Sequence, residues 1–149
     1  MNLYKSIFEA LGKAGVEYLI VGGVAVNLYG YNRFTGDIDI LLALTPKNLE
    51  KMDKLMRKLG YIERLPVSVK EKGLKAYTFI SDGKPQLDID IIIHESMDFL
   101  KYSKQKTVIE VWEMELPVIH IDDLIGMKKA ANRAKDRLDL EALIQLKTL

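Results

Sequence analysis

Apolar residues recur at Leu3, Ile7, Phe8 and Leu11, the spacing of one helix face, and Gly12 and Gly15 close that helix. Tyr18-Leu19-Ile20-Val21 is a short apolar run with β-branched members, which predicts a strand ending on Gly22-Gly23. Val24 to Tyr29 reads as a short helix closed by Gly30, and the loop Tyr31 to Gly36 leads into a second strand, Asp37-Ile38-Asp39-Ile40-Leu41-Leu42. Thr45 as N-cap and Pro46 in the first turn predict a helix to about Leu59. Ala76 to Ile80 and Gln86 to Ile93 predict a hairpin around Ser81-Asp82-Gly83-Lys84-Pro85, and Ser96 to Tyr102 a helix. Thr107 to His120 alternates in strand fashion, with Pro117 expected to hold part of it at a sheet edge. From Asp122-Asp123 a helical pattern runs to Leu149, with a break expected near Arg133. The expected class is α+β (mixed α/β): a mixed β-sheet flanked by helices, with a C-terminal helical segment over about 121–149.

Length and composition bound this picture without deciding it. A chain of 149 residues fits one domain, 1–149; 48% hydrophobic residues can build its core and 29% charged residues can cover it. No stretch approaches the roughly 18–20 apolar residues that span a bilayer. Glu9 interrupts any signal core, so a cytoplasmic location without membrane contact is expected. Cysteine is absent, which excludes disulfides, thiol nucleophiles and cysteine-ligated zinc. Only His94 and His120 are present, too few for a histidine-rich metal site, and both read as ordinary residues. The net charge of +1 argues neither for nor against nucleic acid.

The chemistry concentrates in two acid–apolar–acid patterns. Residues two apart on a strand face one side, so Asp37 and Asp39 project together while Ile38 and Ile40 point into the core. Leu87-Asp88-Ile89-Asp90-Ile91 repeats the pattern on a later strand. Carboxylates in register repel one another unless a cation sits between them, and hard oxygen ligands completed by phosphates suit Mg²⁺. Three or four acids around one point outline a two-metal site. Gly22-Gly23 supplies the complement: after a strand, glycines let a phosphate approach the backbone, and the helix behind them offers unpaired N–H groups and the positive end of its dipole. Arg33 and Thr35, just before the first acid pair, are candidates for phosphate or acceptor contact.

The stretch Val21-Gly22-Gly23 through Arg33-Phe34-Thr35-Gly36-Asp37-Ile38-Asp39-Ile40 resembles the signature of the DNA-polymerase-β-like nucleotidyltransferases. The segment Asp123 to Asp139, with Lys128, Lys129, Arg133, Lys135 and Asp136, is similar to the last helices of their small prokaryotic members, the minimal and AbiEii-toxin-like nucleotidyltransferases. The likeness spans about Glu17 to Leu143. It implies transfer of NMP from an NTP to a hydroxyl on RNA (tRNA among the candidates), protein or a small molecule, in a toxin–antitoxin setting, with an antitoxin or HEPN-type partner and a homo-oligomer among the associations to test. It further implies two Mg²⁺ ions, with Mn²⁺ as a substitute, ligated by Asp37, Asp39 and a third acid. Asp88 and Asp90 both fit the third place, with the balance toward Asp90. Gly22 and Gly23 would hold the β/γ-phosphates, and Arg33, Thr35, Lys129, Arg133 and Lys135 would line the phosphate or acceptor side. On one continuous helix Lys129 and Arg133 share a face, and Lys128 lies well round the cylinder. A nucleotide-binding or regulatory module that has lost turnover, and an interaction domain whose acids are surface residues, are the competing readings. Retention of both acids of the first pair favours turnover.

Overall fold

The computed structural model describes residues 2–70, 74–81, 87–94 and 99–149. Helix α1 (Leu3–Lys13) buries Ile7, Phe8 and Leu11 and is capped by Asn2, whose side chain accepts from the Lys5 N–H. Strand β1 (Tyr18–Val21) is buried along its whole length, as expected of a strand covered on both faces. Helix α2 (Gly22–Tyr29) begins on the residue after β1, and β2 (Asp37–Leu42) follows the loop. Thr45 caps α3 (Pro46–Leu59), which closes on a left-handed Gly60. The remaining elements are β3 (Tyr61–Lys70), β4 (Leu74–Ser81), β5 (Asp88–His94), α4 (Phe99–Lys104), β6 (Thr107–Val111), β7 (Met114–Val118), α5 (Ile121–Ala131) and α6 (Ala134–Lys147).

The seven strands form one mixed sheet in the order β3-β4-β5-β2-β1-β7-β6. The pairing that matters most is parallel β2 on β5, in the register Asp37↔Asp88, Ile38↔Ile89 and Asp39↔Asp90. Because both strands carry the same alternation, in-register pairing stacks acids over acids and isoleucines over isoleucines. Ile38, Ile40 and Ile89 are fully buried, so the acids are held to the other face by the core. Antiparallel β1 sits on the other side of β2 and sets Val21 beside Asp39, which delivers Gly22 to the acids. Asn48 locks α3 to the entrance of β1: its side chain donates to the carbonyls of Glu17 and Ala43 and accepts from the Glu17 N–H.

Several expectations are revised. Strand β3 is not anticipated by the apolar pattern, and its pairing with β4 carries an irregularity between Arg64 and Ser68. The expected hairpin is present as antiparallel β4–β5, although its turn, 82–86, lies outside the described residues, as do 96–98 of the helix expected over Ser96 to Tyr102. Thr107 to His120 is two strands, not one. The chain reverses at Trp112 and Glu113, both with positive φ (53° and 60°), the geometry of a two-residue hairpin turn. No Asn-Gly announces this turn; instead the Trp112 ring stacks 6.5 Å from Phe8, which stacks in turn on Tyr18. Pro117 therefore sits on an inner strand, and β6 is the edge. Its missing N–H is tolerated because the pairing of β7 with β1 begins only beyond it, at Val118. The C-terminal helical region does break, at Asn132 in the left-handed conformation, and α6 restarts with Arg133 as its N-cap.

Candidate active site

Asp37, Asp39 and Asp90 each present a carboxylate oxygen, and the three oxygens lie within 4.8 Å of one another. Among the described residues no ion pair reaches any of the three. Burial and the neighbouring carboxylates push Asp39 up to about 7 from its ordinary 3.8, against a smaller opposing pull from the Lys128 ammonium. Asp37 is raised for the same reasons, with Lys135 pulling the other way and Asp88 adding to the repulsion. The cluster thus holds charge that the protein's own side chains do not neutralise. Three convergent oxygens with that surplus match the donor set of a hard divalent cation. Asp90 is further fixed by Thr78, its cross-strand neighbour, whose hydroxyl donates to Oδ1 at 2.6 Å. Asp88 pairs with Asp37 across the strands but is not among the three acids whose oxygens converge.

The two glycines are pressed against this cluster. Gly22 has φ +66°, and a Cβ there would meet the Asp39 side chain, with its Cβ and Cγ only 2.8 Å away. A Cβ on Gly23 would lie 2.8 Å from Thr35 Oγ1 and 3.0 Å from Arg33 Nη2. Only glycine gives both the left-handed turn and this approach. The first N–H groups of α2, which have no partner within a helix, therefore open beside Asp39 and Thr35. Tyr4, from α1, steadies the loop from behind, its hydroxyl donating to the Thr35 carbonyl.

Arg33 is placed differently from a free phosphate ligand. Its Nε and Nη2 donate to both oxygens of Asp139 at 2.7 and 2.8 Å, and Nη1 donates to the Phe34 carbonyl at 2.8 Å. Asp139 and Asp136 are fully buried on α6, and the buried Lys128 ammonium reaches them at 3.0 and 3.3 Å. Arg133 completes the chain of charges, its Nε donating to Asp136 at 2.7 Å. Hydrogen bonds and cations hold Asp136 and Asp139 below the ordinary carboxylate value despite burial. The expectation that Lys129 and Arg133 share one helix face is corrected here: Asn132 interrupts the helix between them. Lys129 is exposed on α5, Arg133 belongs to α6, and Lys128 is the residue turned inward. Sequence reasoning missed that role. A usable signal was present in Asp136, Asp139 and Leu143, which at helical spacing put two acids on an apolar face and so required a buried cation. His120 caps α5, its Nδ1 accepting from the Asp122 N–H, and takes no part in the cluster.

Residues 10–148 match the family model described as "Nucleotidyl transferase AbiEii toxin, Type IV TA system". The chain belongs to this family of nucleotidyltransferases. Three solved structures share the fold of this AbiEii-family chain at low identity. The lincosamide antibiotic adenylyltransferase LnuA, bound to lincomycin, superposes with a TM-score of 0.71 at 16% identity, over 96% of this chain and 95% of that one. ANT(2″)-Ia, in complex with adenylyl-2″-tobramycin, gives 0.66 at 11% identity over 98% and 91%. TM1012 from Thermotoga maritima gives 0.65 at 17% identity over 95% and 90%. The curated proteins contain no match to the sequence. No helix among the described residues is long and apolar enough to cross a membrane.

Proposed function

We propose that this protein transfers NMP from an NTP to a hydroxyl acceptor, using divalent metal held by Asp37, Asp39 and Asp90. The observation that carries the reading is the cluster of three uncompensated carboxylates against the Gly22-Gly23 turn. Divalent ions, Mg²⁺ with Mn²⁺ as a substitute, supply charge neutralisation on the transferring phosphoryl group and favour deprotonation of the attacking hydroxyl. The remaining work belongs to the chain. The N–H groups of Gly22 and Gly23 and the Thr35 hydroxyl hold the β/γ-phosphates, a task suited to a helix start. Lys135, whose field reaches Asp37, stands on the side from which phosphate or acceptor enters. Arg33 acts by fixing the loop to Asp139, and Lys128 by joining α5 to α6 while its charge faces Asp39. Positioning and electrostatics suffice for such a transfer, and no protein nucleophile is required.

The family supports a toxin–antitoxin setting, with an antitoxin as partner. The acceptor is a hydroxyl of RNA, protein or a small molecule. The test is incubation with each labelled NTP, Mg²⁺ and a cell lysate or total RNA. Label should enter one acceptor with release of pyrophosphate, and EDTA should stop it. NTP binding without pyrophosphate release would assign the chain instead to a nucleotide-binding module.

A further inference from the structure

Among the described side chains, one alone donates a hydrogen bond to any of the three clustered acids: the Thr78 hydroxyl, 2.6 Å from Asp90 Oδ1. Thr78 stands on β4 and Asp90 on β5, directly opposite in the antiparallel register, so both side chains rise from the same sheet face. Asp90 is also where the cluster meets, because Asp37 and Asp39 each come within hydrogen-bonding reach of its carboxylate. The donor is therefore attached to the acid that touches both of the others.

A cross-strand threonine can serve the sheet alone, and valine would fill the same half-buried position as well. The chemistry of this pair goes further. The last torsion of an aspartate is broad, with no staggered wells to hold the carboxylate in one plane. Repulsion from Asp37 and Asp39 would turn Asp90 away from the cluster, and the hydroxyl opposes that turn. β-Branching restricts the threonine's own torsion, so the donor arrives from a fixed direction. The backbone beneath is held independently: Tyr61 on β3 donates to the Leu87 carbonyl at 2.7 Å, three residues before Asp90. Strand position and carboxylate orientation thus have separate anchors. Among the described side chains, only Thr78 acts on the second.

We infer that Thr78 is a positioning residue: its hydroxyl sets the Asp90 carboxylate for the divalent cation that Asp37, Asp39 and Asp90 would share. This rests on the transfer reading for the cation and adds the residue that orients its third ligand. The test titrates Mn²⁺ into the full chain without nucleotide, following free Mn²⁺ by electron paramagnetic resonance. It compares the wild type with Thr78→Val, Thr78→Ser and Thr78→Ala. Valine keeps the shape and loses the donor, whereas serine keeps the donor and loses the methyl group. Removing an outer hydrogen bond to a metal ligand typically costs about 10–100-fold in metal affinity, and Thr78→Val should weaken Mn²⁺ binding by that factor. Thr78→Ser should bind close to the wild type. Serine and alanine differ only in the hydroxyl, so that pair decides the matter if thermal melting in EDTA shows that valine disturbs the fold. Equal Mn²⁺ affinity with and without the hydroxyl, or equal losses for Thr78→Ser and Thr78→Val, would overturn the inference. Transfer of label from NTP by the same proteins separates the two claims. If Mn²⁺ affinity follows the hydroxyl but the wild type transfers no label, only the transfer reading falls. If the wild type binds Mn²⁺ and transfers label while all the variants bind alike, only the role of Thr78 falls.

Discussion

Two groups of aspartates behave differently: Asp37 and Asp39 of one are raised, whereas Asp136 and Asp139 of the other are lowered. Asp37, Asp39 and Asp90 crowd together without a cation, and Asp39 is driven up to about 7. Asp136 and Asp139 are more deeply buried, yet they are held below the ordinary carboxylate value because Arg33, Lys128 and Arg133 surround them. Burial alone would raise Asp37, Asp39, Asp136 and Asp139 alike. The difference lies in pairing: the second group is matched by cations of the fold itself, and among the described residues no ion pair reaches the first. Charge left open in one place and closed in the other separates a site built for binding from one built for structure.

The largest effect should come from breaking the closed group. Lys128→Met should destabilise the protein by about 3–5 kcal/mol, because it leaves two buried carboxylates without their shared cation. Chemical denaturation would measure this, and a loss under 1 kcal/mol would mean that the cluster is not tight in solution. This reverses the weight given to the two lysines in the sequence, where Lys129 is placed on the functional face and Lys128 well round the cylinder from it.

Opening the other group further should do the reverse. Asp39→Asn, or Asp37→Asn, should abolish transfer and leave the fold intact. In metal-free buffer above pH 7, Asp39→Asn should gain stability of about 1.4 kcal/mol for each unit of upward shift that it removes. An active Asp39→Asn protein would contradict the proposed site.

The pH dependence of the metal-free protein follows with a definite sign. Asp39 keeps its proton in the folded state between its ordinary 3.8 and about 7, while the unfolded chain has released it. Stability contributed by that proton is therefore lost as pH rises through this window and levels off above 7. Asp136 and Asp139 act oppositely: their contribution is present above the ordinary value and is lost as pH falls below about 4. Melting temperatures in EDTA should decline from pH 5 to 8 for the wild type and stay flatter for Asp39→Asn. Parallel curves would show that Asp39 is not raised.

The smallest effect belongs to the rim. Lys129→Ala, on an exposed position, should change stability by no more than about 0.5 kcal/mol. Any weakening of NTP or acceptor binding should shrink as salt rises.

The open group was legible in the sequence and the closed one was not. Asp37-Ile38-Asp39 and Asp88-Ile89-Asp90 announce their shared face because a strand's period is two and the isoleucines must be buried. Gly22-Gly23 announces a close approach because it follows an apolar run. The resemblance inclined toward Asp90 over Asp88, but the strand alternation alone did not separate them, since both face the same side in register. The closed group depends on a helix break at Asn132, where a left-handed residue turns α6 back and brings Asp136 and Asp139 onto Lys128. Read as one continuous helix, the same residues put Lys129 and Arg133 on a common face that does not exist. Strand β3 and the Trp112-Glu113 turn were hidden for a related reason: pairing and ring stacking hold them, and neither leaves a local signature.

The most direct test of the site is Mn²⁺ binding followed by electron paramagnetic resonance at pH 8, with and without NTP. The wild type should bind Mn²⁺ and melt at a higher temperature when it does, whereas Asp39→Asn and Asp90→Asn should lose both responses together. Mn²⁺ binding of equal strength in all three proteins would contradict the assignment of this cluster as the metal-dependent transfer site.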